Sequence, residues 1–283
     1  MEHANLPERA DVVVIGAGAV GLCAARALQR RGRGVTIIAR DAVGVGASAG
    51  NAGMIVPSHI VPLAAPGVIA QGLRWLANPE SPFYIRPRLS VDLIRWLWLF
   101  RRHCTDTHVE RSIPALRDLS LASVDLFARL QDDIGDVGYE QTGLLMAYRT
   151  EKGQKDNLAL ADRAQSAGLE IERLDASTLQ AREPHLSTDL IGAVLYRQDG
   201  RVDPNMLLSR LSTRLERDGA QIQTGVTVAE VRPTLDGVFV DTTRGTIRAS
   251  QVVLAAGAWS SRLARSLSLR LPMQPAKGYR ITV

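Results

Sequence analysis

The segment 11–38 constrains the fold more than any other part of the chain. An apolar, β-branched run, Val12–Ile15, follows Asp11 and leads directly into the glycine-rich turn Gly16–Gly21, which reads GAGAVG. A helical pattern and a second apolar run, Val35–Ile38, follow. This order of strand, glycine turn, helix and strand is typical of the unit that places a dinucleotide pyrophosphate at a helix N-terminus. We therefore predict a dinucleotide-binding α/β unit whose first strand is buried on both faces.

Each glycine of the turn has its own expected role. Gly16 permits the tight turn, Gly18 lets a phosphate approach the backbone, and Gly21 allows the helix to pack closely on the strand. We predict that the helix ends before Gly32 and Gly34. Its predicted apolar stripe comprises Val20, Cys23, Ala24, Ala27 and Leu28, with Arg26, Gln29 and Arg30 pointing away.

The end of the second strand leaves the type of dinucleotide open. An acidic residue usually stands here and binds the adenosine ribose, but this chain has Ala39 followed by Arg40 and Asp41. A missing carboxylate beside an arginine is compatible with the 2′-phosphate of NADP. Alternatively, Asp41 or backbone groups bind the ribose and Arg40 lies along the adenine.

Two further segments combine strands with small residues. The loop 44–54 contains four glycines, which are costly in chain entropy unless the backbone must approach something closely. A large planar cofactor needs such a wall of free N–H groups without bulky side chains, so this loop favours a flavin. Downstream, strands are predicted in 220–231, 238–240 and 251–254, with turns at Gly237 and Gly245, before the small-residue segment 255–260.

Composition restricts the function classes. The chain has 283 residues, of which 46% are hydrophobic and 22% charged, which suits one or two globular domains. Cys23 and Cys104 lack metal-ligand spacing, so we expect a reducing compartment, no disulfide framework and no metal site. The formal charge of +5 comes from dispersed arginines, so we expect no nucleic-acid partner. The first residues lack the apolar region of a signal peptide, and we expect a cytoplasmic protein.

The segment Val91–Arg102 has two interpretations. It concentrates tryptophan and leucine next to arginine, as interfacial membrane helices do. The alternative is that Leu93, Trp96, Leu97 and Phe100 pack inward at helical spacing.

Several motifs together resemble the FAD-dependent amine oxidoreductases of the D-amino-acid oxidase superfamily, above all its bacterial D-amino-acid dehydrogenases, with glycine and sarcosine oxidases as relatives. The matching pieces, spread over nearly the whole chain, are VVVIGAGAVG (12–21), GASAGNAGMI (46–55) with Pro57–His59, PLAAPGV (62–68), GRVDP (200–204), VVLAAGAWS (252–260), and Pro272 with Lys277–Tyr279. Ala39 departs from the glutamate or aspartate of the family, which leaves the ribose contact unassigned.

The resemblance implies an α/β fold, α+β overall, in which an antiparallel-sheet substrate domain is inserted into an FAD/NAD(P)-binding Rossmann-like domain. The expected segments are 9–58 (the first FAD-binding segment), 59–104 (an excursion forming the substrate-domain lid region), 105–140 (helical, on the FAD-domain side), 141–199 (substrate domain), 200–270 (the second FAD-binding segment) and 271–283 (start of a further substrate-domain segment). Within these, we predict helices over 116–134, 155–166 and 205–217, and substrate-domain strands over 143–148, 169–174 and 191–196.

The resemblance also implies the cofactor contacts. The residues expected at FAD are Ile15, Gly16, Ala17, Gly18, Ala19, Val20 and Gly21 for the pyrophosphate, Ser48, Asn51, Ala52, Gly53 and Met54 for the flavin, Arg40 and Val228 near the adenine, and Gly257 and Trp259 close to the cofactor.

The implied reaction is hydride transfer from the Cα–H of a D-amino acid to the flavin N5, followed by hydrolysis to a 2-oxo acid and ammonia. A quinone or another acceptor takes the electrons, which makes a peripheral contact with the inner face of the cell membrane compatible with the resemblance. The candidate catalytic residues are Tyr279, with Arg280 beside it, and His59 just after the flavin loop. For both residues a purely structural role is the alternative.

Three other interpretations stay open. The first is an oxidase that acts on glycine or sarcosine and uses oxygen. The second is an NADP-dependent reductase, suggested by Ala39 and Arg40. The third is an incomplete, inert flavin-binding fragment, because the strand-like pattern Lys277–Val283 stops without a turn, whereas the related proteins continue. We expect a truncated sequence, with a naturally short family member as the alternative.

Overall fold

The computed structural model describes residues 5–76, 81, 85 and 90–279. The strands, in chain order, are β1 (Arg9–Ile15), β2 (Val35–Ile38), β3 (Met54–Ile55), β4 (Leu144–Tyr148), β5 (Ile171–Asp175), β6 (Gly192–Tyr196), β7 (Gly200–Arg201), β8 (Gln221–Gln223), β9 (Val228–Thr234), β10 (Gly237–Thr242) and β11 (Gly245–Leu254). The helices are α1 (Ala19–Gln29), α2 (Val68–Leu76), α3 (Val91–His103), α4 (Asp106–Ile134), α5 (Glu151–Ser166), α6 (Ala176–Arg182), α7 (Pro204–Arg217) and α8 (Ser260–Ala264). Short 3-10 turns cover Gly257–Trp259 and Arg265–Leu267.

The chain divides into two compact units. Unit 1 contains residues 1–53, 132–138 and 203–283, and unit 2 contains residues 54–131 and 139–202. The first unit is therefore discontinuous in sequence.

One element belongs to a different unit from the one we expected. We expected the helical segment 105–140 on the FAD-domain side, but residues 106–131 of α4 belong to unit 2. The reason is packing: Ile113 and Leu121 contact the core of unit 2 around Ile60 and Tyr148.

Unit 1 is built on a six-stranded sheet in the order β8-β2-β1-β11-β10-β9. Strands β8, β2, β1 and β11 run parallel, and β10 and β9 form antiparallel hairpins at one side. Gly237 and Gly245 stand at the predicted hairpin turns with φ of +137° and +126°, which L side chains rarely adopt. Strand β1 is fully buried at Val12, Val13 and Val14, as the continuous apolar run predicted.

The predicted apolar stripe of α1 is wrong in part. Leu22 and Ala25 are buried, whereas Val20 is 74% exposed, so the buried face lies about one position away from the predicted one. Arg26, which we expected to point away, is 7% exposed. Its guanidinium can be buried because two carboxylates, Asp133 and Asp218, accept its hydrogen bonds. The predicted end of the helix is confirmed, since Gly32 follows it with φ +75°.

Unit 2 contains an antiparallel three-stranded sheet in the order β4-β6-β5 and a short ladder between β3 and β7. The central strand β6 is buried along its whole length. Helix α5 covers this sheet through Ala161 and Ala164, which pack with Tyr148 and Val194.

Three local predictions differ from the structure. The sequence of the stretch 57–87, rich in proline and glycine, suggests an extended excursion, but this stretch contains helix α2, and some of it lies outside the described residues. Helix α4 starts at Asp106 instead of 116 and continues through Pro114, which costs the helix one hydrogen bond. The strand predicted over 277–283 is not formed at 277–279, where no strand partner is present in the described residues of the chain, and 280–283 lie outside them.

Helix α3 agrees only in part with each of its two interpretations, the interfacial membrane helix and the inward-packed helix. Leu93 is buried and Trp96 stacks on Phe100 at 5.0 Å, but Leu97 is exposed, contrary to the packing interpretation. Trp98 is 54% exposed, and the Arg102 guanidinium lies 4.7 Å from its ring centroid. No helix in the described ranges is long and apolar enough to cross a bilayer.

Candidate cofactor site

The candidate site lies at the edge of unit 1 where the parallel strands end. Ile15, the last residue of β1, is in register with Ile38 of β2 and with Leu254 of β11. The turns after these strands therefore begin at the same edge, as ligand sites in parallel sheets do. Two hydrogen bonds join them: the Gly16 N–H donates to Ile38 O at 2.8 Å and the Ala255 N–H donates to Ile15 O at 2.9 Å.

Two glycines of the GAGAVG turn are required by close backbone packing. Gly16 has φ +116°, and a Cβ placed on it would clash with the Ala255 carbonyl. A Cβ on Gly21 would overlap the carbonyl oxygen of Gly16. The tight turn expected at Gly16 and the close packing expected at Gly21 are thus confirmed. The turn has no room for any side chain at these two positions.

The third glycine, Gly18, faces the small-residue loop. A Cβ on it would lie 2.9 Å from the Ser48 Oγ, and this hydroxyl accepts a hydrogen bond from the Ala19 N–H at 3.0 Å. Gly18 is the N-cap of α1 and has no side chain of its own to cap the helix, and the first turn carries no acidic residue. The positive end of the helix dipole therefore has a small donor-rich surface and no protein carboxylate in its first turn, a combination that suits a pyrophosphate.

The loop 44–53 is held by its own backbone and by one side chain. Gly44 donates to Ala17 O at 2.9 Å, which fixes the loop against the GAGAVG turn. The Asn51 Nδ2 donates to Ala47 O and Ser48 O, and its Oδ1 accepts from the Gly53 N–H at 2.7 Å. The side chain of Asn51 thus stabilises the loop, and Ala52 stands exposed beside it.

Arg40 and Trp259 meet across the ends of β2 and β11. The Arg40 Cζ lies 4.3 Å from the Trp259 ring centroid, and its Nε donates to Asp41 Oδ2 at 2.8 Å. Trp259 is nonetheless 52% exposed. The three turns predicted to converge on one ligand are therefore adjacent in space within unit 1.

Ala39 offers no ribose ligand of its own. Its side chain is buried, its N–H donates to Gln223 O and its carbonyl accepts from Val226, so both backbone groups belong to the sheet. Asp41 is the first carboxylate after the strand, and it is paired with Arg40.

The other predicted cofactor residues of unit 1 differ in how far they are buried. Ile15 and Ala17 are buried in the turn, and Val228 is buried at the start of β9. Gly257 opens the 3-10 turn after β11 with φ +53°, and a Cβ there would meet nothing within 4 Å.

Two predicted site residues belong to unit 2, and a third lies in an irregular segment of unit 1. Met54 and His59 belong to unit 2, where Met54 pairs with Arg201 and the His59 ring is exposed. Tyr279 is 87% exposed in an irregular segment, with Lys277 Nζ 5.0 Å from its ring centroid. No strand is formed at 277–279, where one was expected to present Tyr279, and Arg280 lies outside the described residues.

Sequence reasoning missed a buried carboxylate beside His59. Asp199 is 1% exposed and accepts hydrogen bonds from both the N–H and the hydroxyl of Ser58. Burial raises the pKa of Asp199, while the Ser58 donors and the nearby His59 oppose this rise. The sequence around it, Asp199-Gly200, reads as an ordinary turn, so no local signal marks it.

The described residues contain no group of three or more His, Cys, Asp or Glu side chains that could hold a metal ion. Burial raises the pKa of the Cys23 thiol, as expected for a packing residue on α1.

The fold and this edge are those of a dinucleotide-binding α/β protein, and comparison with known families identifies the dinucleotide. The sequence profile of the FAD dependent oxidoreductase family matches residues 11–283. The chain belongs to this family. The cofactor of the family is FAD, so the comparison favours FAD over the NADP interpretation of Ala39 and Arg40.

Two curated relatives carry the same name. The chain is 34% identical over 278 residues to a D-amino acid dehydrogenase of Cereibacter sphaeroides, covering 96% of this chain and 64% of that protein. It is 32% identical over 285 residues to a D-amino acid dehydrogenase of Agrobacterium fabrum, covering 96% and 67%. The chain therefore spans about two thirds of the length of these relatives.

Solved structures show the same fold. Glycine oxidase from Geobacillus kaustophilus superposes with a TM-score of 0.72 at 24% identity, covering 94% of this chain and 60% of that one. An L-amino acid deaminase from Proteus vulgaris superposes with a TM-score of 0.69 at 19% identity, covering 96% and 60%.

Proposed function

We propose that this protein catalyses the FAD-dependent oxidative deamination of D-amino acids to 2-oxo acids and ammonia, and passes the electrons to a quinone or another acceptor. The observation that carries the proposal is the meeting of three side-chain-poor turns at one edge of the parallel sheet in a member of the FAD dependent oxidoreductase family. The substrate class rests on the relatives that are named D-amino acid dehydrogenase.

Unit 1 is proposed as the FAD-binding domain and unit 2 as the substrate domain. The turn Ile15–Gly21 and the Ser48 hydroxyl would hold the pyrophosphate at the N-terminus of α1. Arg40 would lie along the adenosine half and Val228 would contribute backbone contacts there. The segment Asn51–Met54, together with Gly257 and Trp259, would line the flavin. These assignments fit the structure for two reasons. A Cβ on Gly16, Gly18 or Gly21 would fill the space of the cofactor turn. Trp259 and Val20 are both exposed at the edge where this turn lies.

FAD, when bound, supplies the acceptor for the hydride that leaves Cα. The protein must orient the substrate and provide a destination for the proton of its amino group, since the amine is oxidised in its neutral form. His59, exposed on an anchored turn, is the proposed proton acceptor, and Tyr279 is the proposed contact of the substrate carboxylate.

The proposed electron acceptor calls for a membrane contact, and α3 carries the residues for it. Trp98 and Ile94 are exposed, and Arg95, Arg101 and Arg102 stand on the same helix. An interfacial helix combines such aromatic and apolar side chains with cations that pair with anionic lipid headgroups. Helix α2, with Leu73 and Trp75 exposed, adds a second apolar surface in the same unit.

The test is a comparison of electron acceptors with the purified full chain. A flavin absorbance spectrum, reduction of a dye by D-alanine without oxygen and little oxygen consumption are the expected results. L-alanine serves as the stereochemical control. Rapid oxygen consumption with glycine would replace the dehydrogenase assignment by an oxidase, and a colourless protein that binds NADPH would overturn the flavoenzyme proposal.

A further inference from the structure

Asp199 and Ser58 form a closely bonded pair inside unit 2. The Ser58 N–H donates to Asp199 Oδ1 at 2.9 Å, and the Ser58 hydroxyl donates to Asp199 Oδ2 at 2.5 Å. The carboxylate is buried, and its backbone is fixed as well, because the Asp199 carbonyl accepts from the Gly143 N–H at 2.8 Å. A buried carboxylate that accepts two hydrogen bonds from the same residue is held in a fixed position.

His59 contacts this pair through Ser58, and buried residues before and after the two residues fix its backbone. Its Nδ1 is 3.2 Å from the Ser58 Oγ. The flanking residues Pro57 and Ile60 are buried, and Ile60 packs in the core of unit 2. The imidazole itself is exposed. The turn therefore presents an accessible ring on an anchored backbone.

The proton of the Ser58 hydroxyl decides which nitrogen of His59 carries a hydrogen. A hydroxyl has one hydrogen, and in Ser58 it is donated to the Asp199 carboxylate. The lone pairs of Ser58 Oγ that remain can only accept a hydrogen bond. In neutral His59 the Nδ1 must then be the donor, and Nε2 carries the lone pair.

We propose that Asp199 and Ser58 are positioning residues that hold neutral His59 in its Nδ1–H tautomer, so that Nε2 stands as the acceptor for a proton of the substrate amino group. The identity of the proton donor rests on the proposed function, whereas the tautomer does not. The proton moves from the substrate nitrogen to Nε2 and forms an imidazolium, while Nδ1–H continues to donate to Ser58. No covalent bond to the protein forms, and His59 is neither oxidised nor reduced.

The Asp199→Asn variant is expected to reverse the direction of the hydrogen bond between Ser58 and His59. In Asp199→Asn the Ser58 N–H still requires an acceptor, which orients the amide oxygen toward it. The amide NH₂ then donates to Ser58 Oγ, and the Ser58 hydroxyl turns its hydrogen toward His59 Nδ1. The tautomer of His59 is expected to change from Nδ1–H to Nε2–H.

The experiment is long-range ¹H–¹⁵N correlation spectroscopy of the ¹⁵N-histidine-labelled full chain, recorded at a pH at which titration of the same signals shows neutral rings. His59→Gln assigns the signal by its disappearance. The expected results are Nδ1–H in the wild type, Nε2–H in Asp199→Asn, and Nδ1–H in the control Asp189→Asn, which removes an exposed carboxylate of the same unit. A wild-type ring in the Nε2–H form, or no change in Asp199→Asn, would overturn the proposal.

Ser58→Ala is the second variant if Asp199→Asn fails to fold. It removes the acceptor of Nδ1–H, and a shift toward Nε2–H is expected, whereas an unchanged tautomer overturns the proposal. A functional arm measures kcat/KM for D-alanine, with a decrease of at least tenfold expected in Asp199→Asn at unchanged FAD content.

The two arms separate the two hypotheses. A wild type that shows the Nδ1–H tautomer but oxidises no D-amino acid contradicts the proposed function and leaves the tautomer assignment intact. If the wild type is active but His59 has the same tautomer in Asp199→Asn, only the positioning role is contradicted.

Discussion

Arg26 and Asp133 form a doubly hydrogen-bonded ion pair that joins helix α1 to the C-terminal end of α4. The Arg26 Nε and Nη2 each lie 2.8 Å from a carboxylate oxygen of Asp133. The remaining nitrogen, Nη1, donates to Asp218 after α7 at 2.5 Å. One buried guanidinium thus connects three segments of unit 1, and it holds the pKa of Asp133 below its usual range.

Replacing Arg26 by methionine is expected to destabilise unit 1 by about 1.5–3 kcal/mol, because Asp133 and Asp218 lose their buried partner and keep only Arg214, which lies 3.6 Å from Asp133 and 2.9 Å from Asp218. Urea unfolding followed by circular dichroism measures the change in the free energy of unfolding. Adding Asp133→Asn to the Arg26→Met variant should recover some of the loss, since it removes a partly buried charge that retains only the longer contact with Arg214. Arg217→Met, on the exposed face of α7, is the control and should change the free energy by less than about 0.5 kcal/mol. Equal effects of the two arginine variants would contradict this account.

Gly21→Ala should destabilise the protein and abolish FAD binding, although alanine is the better helix former by about 1 kcal/mol. The added Cβ would overlap the Gly16 carbonyl oxygen and force α1 away from the cofactor turn. Thermal unfolding and fluorescence titration with FAD measure the two effects. Gly72→Ala in α2 is the matched control, because a Cβ there meets nothing within 4 Å, and it should be neutral or stabilising. Normal FAD affinity in Gly21→Ala would refute the role assigned to this glycine.

Asp241 is expected to contribute to acid sensitivity. The Arg232 guanidinium and the Thr246 hydroxyl lower the pKa of Asp241 to about 2 from its ordinary 3.8. A carboxyl group whose pKa is lower in the folded state stabilises the fold above pH 3.8, and this stabilisation is lost as the pH falls toward 2. The difference in the free energy of unfolding between wild type and Asp241→Asn should therefore be largest near pH 6 and shrink below pH 4. Asp236→Asn, an exposed carboxyl at the hairpin turn, is the comparison variant. A difference that stays constant from pH 6 to pH 2.5 would disprove this contribution.

Trp98→Ala should weaken binding to vesicles that contain anionic lipid by about tenfold, corresponding to ~1.4 kcal/mol of lost interfacial contact. Co-sedimentation with phosphatidylglycerol vesicles at low and high salt measures it, and high salt should weaken binding of the wild type. Leu160→Ala on α5, another exposed apolar residue of unit 2, is the control and should have no effect. If the wild-type protein does not bind these vesicles, the proposed membrane contact is contradicted.

The cofactor turn could be predicted from the sequence because its constraints are local. Gly16, Gly18 and Gly21 stand within six residues of one another, and their roles follow from strand, turn and helix geometry. The hairpin turns at Gly237 and Gly245 were predictable for the same reason, since a positive φ selects glycine.

Residues whose environment depends on distant partners could not be predicted in this way. The helical pattern alone placed Arg26 on the solvent face, but its carboxylate partner Asp133 is 107 positions away. Asp199 stands before a glycine, as many turn residues do, and its partner Ser58 is 141 positions away. The alternating pattern that suggested a strand at Tyr279 carries no information on whether a neighbouring strand exists to bond it.

By itself, the sequence determined the strand–turn–helix unit and the hairpin turns, because backbone conformation and hydrophobic periodicity are short-range properties, and its motifs indicated the family. Tertiary structure alone decided which charges are buried and which side chains meet, namely Arg26 with Asp133, Arg40 with Trp259, and Asp199 with Ser58. Burial and pairing depend on distances between segments far apart in the chain, and no local pattern encodes those distances.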